Sequence, residues 1–298
     1  MASFSNEAKT EICAAIRSAA ECRRFLTGVL LGARHFTAGE IALQTECTAF
    51  AALFPKLLQT VCPGTVPDTE YRTRAKSQPL WSFTLTGTHS IRALTDALGL
   101  DPAYRTAVIT QENLRELTAG IFVSCGSVTD PANGYHLEML LPDAAVGEAL
   151  RQALSDMGQP EIALKSTVRR SGLLLYLKQN EQIGDLLAYL GALDANFELI
   201  NQQVIRNMRG LTNRRLNCDM ANIDKAVAAG NRQAEDIQRI QQRVGLAALP
   251  EELQEIARLR LEEPDMSLRE LGAMLHPPLS RSGVHHRLQR ITEFAAKL

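Results

Sequence analysis

The feature that most constrains this 298-residue chain is an internal repeat. Shifting the sequence by 92 residues lays Arg23 on Arg115, Gly28 on Gly120, Leu31 on Val123 and Ala33 on Cys125. The same shift lays WSFTLTG (81–87) on LLLYLKQ (173–179), and IRALTDALG (91–99) on IGDLLAYLG (183–191). One offset that holds at both ends of so long a segment predicts two copies of one folding unit. They form a single domain over residues 1–200, with halves at about 20–100 and 112–192.

Each half reads in the same order. An apolar helix rich in small residues comes first, then strand-like stretches such as GYHLEMLL (134–141), where Tyr135, Leu137 and Met139 alternate. AAVGEALRQALSDMG (144–158) follows as an amphipathic helix with Val146, Ala149, Leu150 and Leu154 along one face. EIALKSTVRR and GLLLYLKQ read as two more strands, with Ser171 and Gly172 as the tight turn between them. A short helix ending at Gly191 closes the half. The fold class is therefore α+β, a duplicated αββαββα domain with pseudo-twofold symmetry, followed by an all-α module.

Gly28 and Gly32 in one apolar helix, and Gly120 and Ser124 in the other, make shallow surfaces on which two helices can nearly touch. A pair of such helices in a duplicated αββαββα frame resembles the LAGLIDADG homing-endonuclease fold. The resemblance implies that an acidic residue at each helix end shares divalent metal, which activates water and neutralises charge on the phosphoryl group. The matching positions here are Ala33 and Cys125, and neither is a carboxylate. The expectation is a domain that keeps the helices, holds no metal and has lost nuclease activity, so the chain is not an enzyme.

The net charge of -1 conceals an asymmetry: residues 1–200 carry 17 Lys and Arg against 21 Asp and Glu, residues 201–298 carry 15 against 12. The basic end is where an anionic partner belongs. Six scattered cysteines with no CxxC pair, no secretory leader and no apolar run of about 18 residues point to a reduced, cytoplasmic protein without a membrane span. No cofactor motif appears. Residues 201–218 read as a linker containing Arg206, Arg209, Arg214 and Arg215 without an acid until Asp219, candidates for sequence-independent phosphate contacts. A helix then runs from Ala226 to Val244 with Ile237, Ile240 and Val244 on one side.

The rest of residues 219–298 forms a compact helical domain. Pro250 opens one helix, with Leu253, Ile256, Ala257 and Arg260 at helical spacing, and Pro264 ends it. Ser267 with Glu270 writes a capping box. The break at His276-Pro277-Pro278 then leads to Ser280, which can cap a last helix. Residues 267–296 read as a helix-turn-helix, whose second helix enters a major groove by its first turns. Those turns carry Ser280, Arg281, Ser282, His285, His286 and Arg287, with Arg290 one turn further. With Ser267 these are the candidate DNA contacts, because arginine can pair with guanine and a helix-capping serine can meet phosphate. His285 and His286 project about 100° apart and cannot readily share a metal ion.

Together, the stripped LAGLIDADG-like domain, the Arg-bearing segment and the helix-turn-helix resemble the WhiA family of Gram-positive bacteria. CRRFLTGVLLG, CGSVTDPANGYHLEM, RNMRGLTNRRLNCDMANIDKAV and PPLSRSGVHHRLQRI carry that resemblance. It implies a nucleoid-associated transcriptional regulator of sporulation, cell division and chromosome segregation, bound to promoter DNA and a sigma factor or other transcription or division protein. The competing expectation is a scaffold that acts mainly through a protein partner on the acidic N-terminal domain.

Overall fold

A computed structural model describes residues 3–74 and 77–298. It divides into two compact units, Met1–Arg206 and Asn207–Leu298. The first opens with α1 (Phe4–Ala15), capped by the Ser3 hydroxyl and buried through Phe4, Ala8 and Ile12. This helix stands outside both repeats, and the 92-residue offset carries no trace of it.

The first repeat follows as α2 (Ala19–Leu31), β1 (His35–Phe36), β2 (Glu40–Thr45), α3 (Thr48–Val61), β3 (Asp68–Arg74), β4 (Ser77–Thr86) and α4 (Thr88–Leu98). The second is α5 (Leu114–Cys125), β5 (Gly126–Val128), β6 (Leu137–Leu141), α6 (Ala144–Asp156), β7 (Lys165–Arg169), β8 (Gly172–Leu177) and α7 (Asn180–Leu190). Both sheets are antiparallel and share one strand order, β1-β2-β4-β3 and β5-β6-β8-β7. The αββαββα frame is present twice.

α2 and α5 cross at their glycines. A Cβ on Gly28 would run into the Leu117 carbonyl oxygen, and one on Gly120 into that of Phe25. Both positions are therefore closed to any side chain. The other residues the repeat aligns have structural roles as well. Arg23 Nη1 donates to the Ala97 carbonyl, and Arg115 Nε donates to the Tyr189 carbonyl at 3.0 Å. Both bonds close the last turn of the helix ending each half. Gly99 and Gly191 cap those two helices at φ 66° and 97°, a left-handed backbone that favours glycine.

A single offset does not hold throughout. Ile41 pairs with Leu85 and Leu137 with Leu177, so β6 sits 96 residues beyond β2 while β8 sits 92 beyond β4. The second half has a longer α5–β6 connection and a shorter β7–β8 hairpin, in which Ser166 pairs with Leu175 where Thr69 pairs with Phe83. Length changes fall in loops because no packed face has to shift register. The β7–β8 turn also differs from expectation: Gly172 pairs with Arg169, which leaves Arg170 and Ser171 as the turn residues. Strand β7 starts only at Lys165, after buried Ile162 and Leu164.

The long helix α8 (Leu193–Arg243) spans the boundary between the units. Residues 201–218 lie inside it, helical rather than irregular, because nothing between Leu193 and Arg243 breaks a helix except the tolerated Gly210 and Gly230. In the second unit, α8 through Ile237 and Ile240, α9 (Glu251–Glu262), α10 (Leu268–Met274) and α11 (Arg281–Ala295) enclose a separate core. Val244 lies just past α8 and is 46% exposed, not part of the buried face. Among the described residues no helix is long and apolar enough to cross a membrane.

Candidate nucleic-acid interface

Leu271, Leu275, Val284, Leu288 and Ile291 are buried between α10 and α11. The join is tight: the Leu279 amide donates to the Gly272 carbonyl at 2.9 Å, and a Cβ on Gly272 would strike the Leu279 carbonyl. α10 carries the expected capping box, with Ser267 accepting from the Glu270 amide and Glu270 accepting from the Ser267 amide. Those bonds hold the Glu270 carboxyl below its ordinary pKa. Ser280 caps α11 by accepting from the Gly283 amide at 3.2 Å, and its Oγ lies 3.0 Å from that of Ser282.

The candidate residues of α11 divide into two sets. Arg281, Ser282, His285 and His286 are exposed and follow one another at i, i+1, i+4 and i+5, which is one face of a helix. Arg287 and Arg290 point elsewhere: Arg287 Nη1 donates to the Glu252 carbonyl at 2.9 Å, and Arg290 Nη1 lies 2.5 Å from Glu252 Oε1. The Arg290 contact holds the Glu252 carboxyl below its usual range. These two arginines fix α11 to α9 rather than extend the exposed face. Gln289 continues that face by one turn and is exposed. Its signal in the sequence was its place four residues beyond His285, masked by the stronger charge signal of its arginine neighbour.

The α8 arginines divide in the same way. Arg206 stacks over the Tyr135 ring at 4.7 Å and donates to the Pro131 carbonyl at 3.0 Å and to that of Ala132 at 3.3 Å, so its guanidinium is engaged within the first unit. Arg209, Arg214 and Arg215 are exposed.

In the first unit, Ala33 follows the Gly32 cap of α2 and Cys125 is the last residue of α5, and a cleft of about 570 Å³ opens there, lined by Gly32, Arg34, Gln44, Ser124 and Cys125. The Cys125 thiol donates to the Ile121 carbonyl at 3.3 Å, and burial pushes its pKa up to about 12. Its charged neighbour is the Lys9 ammonium, itself lowered by desolvation and set over the Phe122 ring. A methyl group and a protonated thiol beside a lysine are the wrong donors for Mg²⁺, which needs anionic oxygens. Among the described residues no group of three or more His, Cys, Asp or Glu side chains could hold a metal.

Comparison with known proteins matches this arrangement in both units. The WhiA LAGLIDADG-like domain model matches residues 114–209, and the WhiA C-terminal HTH domain model matches residues 212–295. A "Probable cell division protein WhiA" from Ruminiclostridium cellulolyticum is 33% identical over 310 residues, covering 99% of this chain and 98% of that protein. The chain belongs to the WhiA family. A WhiA protein of the same description from Desulfitobacterium hafniense is 44% identical over 179 residues, 60% of this chain and 56% of that protein. The match thus spans little more than half of that relative's length. The crystal structure of full-length DUF199/WhiA from Thermatoga maritima matches the whole chain with a TM-score of 0.60 at 24% identity, covering 99% of that chain. The N-terminal LAGLIDADG domain of DUF199/WhiA matches 63% of this chain and 90% of its own, with a TM-score of 0.50 at 20% identity. At those identities the WhiA structures speak to fold alone.

Proposed function

We propose that this WhiA-family chain is a sequence-specific DNA-binding regulator of cell division, with bases read by α11 and nuclease activity lost from the first unit. The observation that supports it is the division within α11. Its back is fixed to α9 through Arg287 and Arg290, which leaves Arg281, Ser282, His285 and His286 as a preorganised exposed face. A rigid helix presenting arginine and hydrogen-bonding side chains is what major-groove readout needs. Arg209, Arg214 and Arg215 add phosphate contacts that carry no sequence information. The first unit supplies nonspecific contacts or a platform for a sigma factor or division protein. On this reading the protein acts on the nucleoid, also in chromosome segregation and, in a spore-forming host, in sporulation.

Selection of the full chain against a random duplex pool tests this reading. A single enriched motif is expected, and Arg281→Ala should relax one position of it by about 1–3 kcal/mol. Arg214→Ala should instead weaken all sequences alike. A pool that enriches nothing would leave the scaffold reading. Supercoiled DNA incubated with Mg²⁺ or Mn²⁺ should stay uncut.

A further inference from the structure

Beside α11 the second unit holds a groove of about 780 Å³, walled by α8, the α9–α10 connection and α11. Its rim carries Lys225 from α8, Arg269 from α10, and Arg281 and His285 from α11, and no carboxylate lines it. At its floor lies Arg260, only 2% exposed. One guanidinium nitrogen of Arg260 donates to the Pro264 carbonyl at 2.9 Å and the Met266 carbonyl at 2.7 Å. Its Nε has no partner, and neither has the buried Oε1 of Gln233 on the same groove. Desolvation disfavours the charged form of Arg260, and the opposing effect of Asp265 does not cancel it.

An arginine that has lost its water with only the partial counter-charge of Asp265 and no ion pair is costly, because a buried charge needs both pairing and hydrogen bonds. Capping the two carbonyls explains one nitrogen and leaves the charge unneutralised. An anion in the groove would neutralise it, accept from Nε, and sit among four further basic side chains drawn from three helices.

We infer that this groove is a phosphate-binding site, filled by a phosphodiester of duplex DNA or by the phosphates of a free nucleotide. Because Arg281 and His285 belong to both the groove and the exposed face of α11, occupancy by a free phosphate competes with DNA. The duplex arm of the inference rests on the reading of α11 as a DNA-contact helix; the free-phosphate arm does not.

The test uses the full chain and a double variant, Lys225→Ala with Arg269→Ala, both at exposed positions that leave the core untouched. Arg232→Ala with Lys297→Ala, equally exposed and outside the groove, is the charge-matched control. Anisotropy of a random duplex is followed across KCl concentrations, and inorganic pyrophosphate is titrated by calorimetry. If the groove holds DNA backbone, the slope of log affinity against log salt falls by about two in the groove variant and not in the control. If it holds free phosphate, pyrophosphate binds the parent and the control and is lost in the groove variant. Equal slopes in the two variants together with no pyrophosphate heat in the parent would overturn the inference while leaving the DNA reading intact. Pyrophosphate binding in a chain that binds no duplex would sink the DNA reading and keep the groove. No binding of either probe would end both.

Discussion

The two halves of the first unit share a frame and differ in what fills and what faces it. The first packs its helix against its sheet with rings: Phe25 and Phe50 at 6.5 Å, Phe50 and Phe54 at 5.7 Å, Phe54 and Phe83 at 5.1 Å. At the helix positions that match Phe50 and Phe54 the second half uses Val146 and Leu150, also fully buried. The open faces of the sheets diverge too. Register places Glu40, Asp68, Glu70 and Arg72 on one, and Glu138, Lys165 and Arg169 on the other. What stays paired is the crossing of Gly28 with Gly120 and the closing turn of each half, where Arg23 matches Arg115 and Gly99 matches Gly191. Backbone contact across an axis permits no drift, whereas a core needs only volume and pattern and an open face needs neither.

The comparison is broken most severely at the crossing. Gly120→Val should destabilise the first unit by about 3 kcal/mol or more, since the Phe25 carbonyl in its way is backbone and cannot swing aside. Gly28→Val should cost about the same, while Gly39→Ala, with nothing nearby, should stay within about 0.5 kcal/mol. Thermal or denaturant unfolding measures all three, and a large difference between the two crossing glycines would mean that the axis is not shared equally. Next come the cores. Phe54→Ala should cost about 3–5 kcal/mol and Leu150→Ala about 2–5 kcal/mol, the ring leaving the larger hole. Unfolding that favoured the leucine would show that the aromatic side collapses better than its buried contacts suggest.

These same pairs explain how much could be read in advance. The glycines, the capping residues and the apolar periods are local signals, so the repeat, its frame, the capping box at Ser267 and the break before Ser280 were all legible. Interruptions of the offset were not, because a four-residue loop change leaves no periodic mark. Nor was the fate of individual arginines. Arg206, Arg287 and Arg290 look as free in sequence as Arg214 or Arg281. Only the fold shows the first stacked on Tyr135 and the other two spent on Glu252. Arg260 is the opposite case, since its place in an apolar period marks it as buried but says nothing of an unpartnered nitrogen.

The open faces offer a milder way to sharpen the contrast. Lys165→Glu with Arg169→Glu should weaken nonspecific duplex binding of the full chain several-fold at low salt, with the loss fading as salt rises. Asp68→Lys with Glu70→Lys should strengthen it by a similar factor. Anisotropy at two salt concentrations decides: no change from either pair would mean that the first unit stays off DNA.

The smallest effect concerns Cys125, the residue standing where its counterpart in the other half is Ala33. Its folded pKa of about 12 lies above the value near 8.5 of a free thiol. A raised pKa stabilises the fold below the unfolded value, and that contribution is lost as pH climbs from about 8.5 towards 12. Alkylation follows from the same cause, because the thiolate is the reactive form. At pH 8 Cys218, exposed on α8, should react first with iodoacetamide, and half-buried Cys125, held protonated, should react more slowly. Peptide mapping of a timed reaction reads the order. Early labelling of Cys125 would mean that the Lys9 ammonium outweighs burial and that the cleft holds a reactive thiolate in place of the lost carboxylate.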